Sequence, residues 1–153
     1  MRYIDDPVVL YFHNQHRSAA AWRTMGTRME KIKIADELKG KTESPIETIF
    51  GAELIHKART NKKIIIEPQF WWNRYRVDWA LGVKTGMKIF VECDGYHYHS
   101  EPEMQARDRR REQEMLNAGF VVLRFSSEEI FTDPEKCVNS AICALVTECP
   151  ELE

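Results

Sequence analysis

The chain has 153 residues, 30% of them charged, a net charge of −2 and four cysteines. That length suits one domain able to bury roughly 68–70% of its unfolded surface, so no disulfide framework is required to hold a core. Cys93, Cys137, Cys143 and Cys149 make no CxxC pair, MRYIDDPVVL lacks the apolar core of a leader peptide, and no apolar run approaches the roughly 20 residues that span a bilayer. The expectation is a reduced, cytoplasmic chain without membrane contact.

The small net charge hides an asymmetry. Residues 126–153 hold seven acids and one base, which leaves +4 on the residues before them. Bases cluster at Lys57, Arg59, Lys62 and Lys63, and again at Arg107 and from Arg109 to Arg111. Each cluster is either a solvated helix face or a contact to an anionic polymer.

In chain order, Asp6-Pro7 predicts a helix start, and Trp22, Met25, Met29 and Ile32 recur at helical spacing. That stripe is expected to pack in a core or a dimer contact, so a homodimer is allowed. "KGKTESP" reads as a linker, dividing an N-terminal helical arm, residues 1–43, from a body, residues 44–153. Ser44, Pro45 and Glu47 fit the N-cap, N1 and N3 positions of a capping box. Next comes a β-branched strand, "KKIIIEPQFWW", expected to end at Pro68. "RYRVDWAL" then alternates Tyr75, Val77, Trp79 and Leu81 against Arg74, Arg76, Asp78 and Ala80. A turn at "GVKTG" leads into "MKIFVECD". Ser100 and Glu103 carry a second capping-box signature on a helix that should end at Gly119. The strand "FVVLRF" after it requires a right-handed crossover and hence a parallel pair. A last helix is expected around residues 135–146. The fold class is α/β (α+β), a mixed sheet of four or five strands flanked by helices in the order α, β, β, β, α, β, α.

Folding the hairpin about Lys84 and Thr85 makes paired positions sum to about 169, within one residue of the 170 that sets Asp78 opposite Glu92. At 170 the two carboxylates share a face with Cβ atoms about 4.5–5.5 Å apart. Like charges that close raise one carboxyl's pKa unless a cation sits between them. The natural occupant is a hard divalent ion, magnesium or manganese. Glu47 is explained either by its capping box or by a place in the site, and Glu53 lies in the same apolar arc. On the following helix Met104, Asp108, Arg111 and Met115 share an inward face, making Asp108 and Arg111 a structural clamp or a phosphate contact. Arg107, Arg109 and Arg110 lie on other faces and suit a nucleic-acid backbone. In "ECDGYHYHS", His97 and His99 alternate away from Glu92 and Asp94 unless Gly95 bends the strand. One of them would then serve as a base or proton relay. A zinc site of Cys93, His97 and His99 follows no recognised ligand spacing.

With helix-borne Glu47, "VDWA" around Asp78, "FVECDG" around Glu92, "RDRRR" and "NAGFVVLRFSSEEI", the chain resembles the PD-(D/E)XK nuclease superfamily. Within it, the chain is similar to the very-short-patch-repair endonucleases, over roughly Ser44 to Ile130. The resemblance implies a restriction-endonuclease-like fold and a DNA phosphodiesterase. A divalent metal would be held by Asp78, Glu92 and the carbonyl of Cys93, with Glu47 acting through water or orienting a neighbour. The departure is Asp94, which stands where the superfamily pattern has lysine. His97, His99, Arg107 and Lys88 are the candidates to replace it, and His99 best matches the spacing of the subgroup. The missing lysine also admits a catalytically inactive nucleic-acid-binding or assembly module on the same fold.

If the arginines after Arg107 meet phosphates, DNA affinity should fall with salt at a log–log slope of roughly −0.9 per phosphate neutralised. Replacing Arg109 and Arg110 with alanine should flatten that slope in a binding titration at several salt concentrations. An unchanged slope would make this helix face solvated surface.

Overall fold

Two tight turns and one helical crossover build the sheet. The computed structural model describes residues 6–14, 21–94 and 101–153. Its elements are α1 (Pro7–Asn14), α2 (Ala21–Glu37), α3 (Pro45–Ala58), β1 (Ile65–Trp72), β2 (Tyr75–Val83), β3 (Gly86–Asp94), α4 (Pro102–Asn117), β4 (Val121–Ser126), α5 (Ser127–Thr132) and α6 (Pro134–Glu148). The strands form one mixed sheet in the order β1-β2-β3-β4. The first two pairs are antiparallel hairpins and β3–β4 is parallel, as the crossover through α4 requires. This is the expected mixed α/β architecture with four strands, and it is consistent with a restriction-endonuclease-like fold.

The two sheet faces have unequal cores. The larger one packs Trp79, Leu81, Ile89 and Val91 under α3 and α6, with Val8 and Phe12 of α1, Ile32 of α2 and Leu38 just after α2 in the same cluster. The smaller one sets Met115 of α4 over Val77, Ala80 and Phe90, with Phe120 stacked on Phe90 at 4.1 Å between ring centroids. Lys31 of α2 and Glu53 of α3 are both buried and form an ion pair at 3.0 Å. Glu53 therefore belongs to the helix contact, a role that periodicity could not assign.

Several local expectations change. The strand β1 runs through Pro68, because an edge strand can spare the amide that proline lacks. Met29 and Met104 are exposed, so neither apolar stripe is inward over its whole length. The N-cap of α4 is Glu101, one residue later than expected, with no side-chain cap; Ser100 lies outside the described residues. An unexpected short helix, α5, opens on a full capping box between Ser126 and Glu129. The alternation along β2 also fails at one place. Tyr75 and Val77 pack in the smaller core, while Trp79, Leu81 and Val83 pack in the larger, so the strand changes faces at Asp78.

Trp79 is fully buried and donates its Nε1–H to the carbonyl of Glu47 at 3.1 Å. Room for its indole exists because position 51 on α3 is glycine, where a Cβ would run into the ring. Gly51→Ala should therefore cost about 1–3 kcal/mol through overpacking. The check is a lower urea midpoint with an unchanged m-value.

Candidate active site

The strands β2 and β3 are paired from Trp79↔Val91 through Leu81↔Ile89, a register that extrapolates to Asp78 opposite Glu92. A bulge between Leu81 and Gly82 shifts the register by one residue nearer the turn. Among the described residues the β2–β3 pairing runs no further than Trp79↔Val91, whereas β3 continues beside β4 as far as Asp94↔Ser126. Asp78 turns into this split, and its Oδ2 accepts the backbone N–H of Cys93 at 2.7 Å. The half-buried Asp78 and buried Glu92 thus stand together where two strands part.

A third carboxyl arrives from α3. The hydroxyl of Ser44 accepts the N–H of Glu47 at 3.4 Å, but Glu47 does not complete a capping box. Its Oε2 accepts the amide of Glu43 at 2.9 Å and the side-chain amide of Gln69 at 2.8 Å. Gln69 stands across from Asp78 between the pairs Pro68↔Trp79 and Phe70↔Val77, and it has a left-handed φ of 49°. A side chain held in that conformation mid-strand marks local strain. Here it coincides with the change of face on both strands: Ile66 packs with the larger core and Phe70 with the smaller. Sequence reasoning missed Gln69, since propensity cannot announce a left-handed residue inside a strand.

Arg111 of α4 supplies the positive charge. Its guanidinium is ion-paired to Glu92 and donates to the carbonyl of Arg76 at 2.7 Å. The predicted inward placement of Arg111 holds, and its carboxylate partner across the sheet is Glu92. Arg76 is paired with Glu43, and Arg74 with Glu114 at 3.0 Å.

Burial pushes the Glu92 carboxyl up to about 7; the charge of Arg111 opposes this, while the charge and hydrogen bond of Asp78 add to it. Glu47 is likewise pushed up to about 7 by burial, against the amide of Glu43 and with the charge of Asp78. The three carboxyls therefore share one electrostatic environment, although no group of three His, Cys, Asp or Glu side chains among the described residues is placed to hold a metal ion.

Arg107, Arg109 and Arg110 are exposed on α4. Lys88 stands four residues before Glu92, about 13 Å back along β3, where its charge acts on Cys149. The backbone of Asp94 ends β3, but its side chain, together with His97 and His99, lies outside the described residues. None of the four cysteines is in a disulfide.

A carboxyl whose pKa is raised on folding makes the folded state hold more protons, here between about pH 4.5 and 7. Stability should accordingly fall as pH rises through that window. Thermal unfolding in EDTA should show the midpoint dropping by a few degrees between pH 5 and pH 8, at ~2–4 °C per kcal/mol for this chain length. Glu92→Gln should flatten the decline.

No solved structure matches the chain. An uncharacterized protein of Haemophilus influenzae (strain ATCC 51907 / DSM 11121 / KW20 / Rd) is 37% identical over 52 residues, which is 34% of this chain and 42% of that relative. The chain thus spans less than half of that relative's length. A family model matches residues 52–145, from the middle of α3 to the last turn of α6, with Asp78, Glu92 and Arg111 inside the matched stretch and Glu47 just before it. By that match over more than half of its length, the chain belongs to the restriction-endonuclease-like family REase_MTES_1575.

Proposed function

We propose that the protein is a metal-dependent DNA endonuclease, similar to the very-short-patch-repair enzymes, that hydrolyses a phosphodiester at the split between β2 and β3. The observation that carries this reading is the pair Asp78 and Glu92, brought together at the end of a sheet ladder with the Glu92 carboxyl pushed up to about 7. Two close carboxylates beside a strand carbonyl suit a hydrated divalent ion, which takes one or two carboxylates and keeps several waters. The donors are all oxygens, which favours magnesium or manganese over zinc.

Asp78, Glu92 and the carbonyl of Cys93 would hold the ion. When bound, it would supply Lewis-acid polarisation of the phosphate and a water acidic enough to attack near neutral pH. The remaining roles fall to the chain itself. Glu47, fixed by Gln69 and the amide of Glu43, orients a water or a neighbouring donor. Arg111 brings a charge that cannot be lost by deprotonation beside Glu92. His99, with His97 second, handles the proton of the attacking water. Arg107, Arg109 and Arg110 take the DNA backbone, with Arg111 reaching a phosphate nearer the carboxylates. Asp94 bounds the site without contributing positive charge.

Supercoiled-plasmid nicking tests the reading. Wild-type protein should nick with magnesium or manganese and stop in EDTA, and Asp78→Asn and Glu92→Gln should abolish nicking while remaining folded. His99→Ala should slow cleavage by roughly 10²–10⁴-fold with DNA affinity retained. Full activity in either carboxylate variant would remove the pair from the site, and metal-independent binding without nicking would favour the inactive module.

A further inference from the structure

The indole of Trp71 takes no part in the site described so far. It is 62% exposed, the most open of the large apolar side chains among the described residues. A single exposed apolar residue is ordinary on a protein surface. Three features make this one different. It lies on the edge strand β1, two rungs beyond Gln69 and Asp78, in the pair Trp71↔Arg76. That rung is two residues, or about 7 Å, from the carboxylate split. The guanidinium of Arg76 lies 5.6 Å from its ring centroid and is itself ion-paired to Glu43, so one side of the indole is held by a cation whose position is fixed.

The hairpin tip also adjoins the basic helix. The bond between Arg74 and Glu114 ties the tip to α4, and Arg107, Arg110 and Glu114 fall at i, i+3 and i+7, on one face of that helix. Exposed arginines of α4 and an exposed flat ring thus belong to elements that meet at the same hairpin. The left-handed Gln69 makes this possible: it turns Phe70 and Trp72 into the core under α4 and leaves Trp71 outside.

We infer that Trp71 is a stacking platform for a nucleotide outside the double helix, so that the preferred DNA carries an unpaired or single-stranded nucleotide beside the carboxylates. This rests on the nuclease reading above. A paired base is already stacked on both faces and cannot reach an indole on a strand edge, whereas any unpaired base offers a π face regardless of sequence. The arginines hold the backbone, and the ring selects for the free base.

The test is fluorescence anisotropy in EDTA with two labelled DNAs of equal length, one fully paired and one ending in a single-stranded tail. The wild type should bind the tailed DNA more tightly, within the roughly 5- to 150-fold that one stacked base provides. Trp71→Ala should bring the ratio close to one, and Trp71→Phe should retain part of it. Tailed DNA should also quench a component of tryptophan emission that Trp71→Phe lacks. A ratio near one in the wild type, a preference untouched in Trp71→Ala, or sedimentation showing a dimer that depends on Trp71 would overturn the inference. Plasmid nicking separates the two readings. Metal-dependent nicking without a tail preference overturns the platform alone, and a Trp71-dependent preference in a protein that nicks no DNA overturns hydrolysis alone.

Discussion

The hydrogen bond from the Cys93 amide to Asp78 stands where a strand partner would otherwise be. An antiparallel ladder satisfies its backbone donors strand to strand, so a strand that leaves early exposes donors that something else must take up. Asp78 meets that need with a carboxylate, which fixes the side chain against β3 and sets it beside Glu92. The opening between the strands and the carboxylate pair at its mouth thus have one cause. Trp79 next to it, wedged against Gly51 and bonded to the carbonyl of Glu47, links this point to α3.

The electrostatics follow from that arrangement. Three carboxyls near one another and largely out of water would be untenable as three anions. The chain answers with Arg111 on Glu92 and with amide donors on Glu47. These partners are local and do not neutralise the whole cluster, so Glu47 and Glu92 still titrate near neutrality. By contrast, the buried Glu53 is ion-paired to a lysine, Lys31, on the neighbouring helix. That difference separates Glu47 from Glu53, two acids that lie on the same helix and are both buried.

Much of the sheet was legible because period-two runs and glycine turns are local signals. The turn at Lys84 and Thr85 and the parallel pairing forced by the α4 crossover follow from counting along the chain, whereas the register that extrapolates to Asp78 opposite Glu92 depends on the bulge between Leu81 and Gly82, which counting leaves open by one residue. Glu47 could be placed on a helix but not assigned a partner, since its amide donors come from Glu43 and from Gln69 on another element. Arg111 was read as inward from helical spacing, but its pairing with Glu92 depends on where α4 lies over the sheet. The change of face at Asp78 was invisible to an alternation rule that assumes ideal strands. Its signature, the backbone of Gln69, is a dihedral angle and not a residue type.

Gln69 also sets a limit on how this protein can be improved. Its backbone occupies a region that glycine enters without steric cost, so from the standpoint of folding alone the position favours a residue with no side chain. Its amide, however, is what reaches Glu47. The residue best for stability and the residue best for the carboxylates are therefore different, and selection acting on either property alone would move position 69 in a different direction.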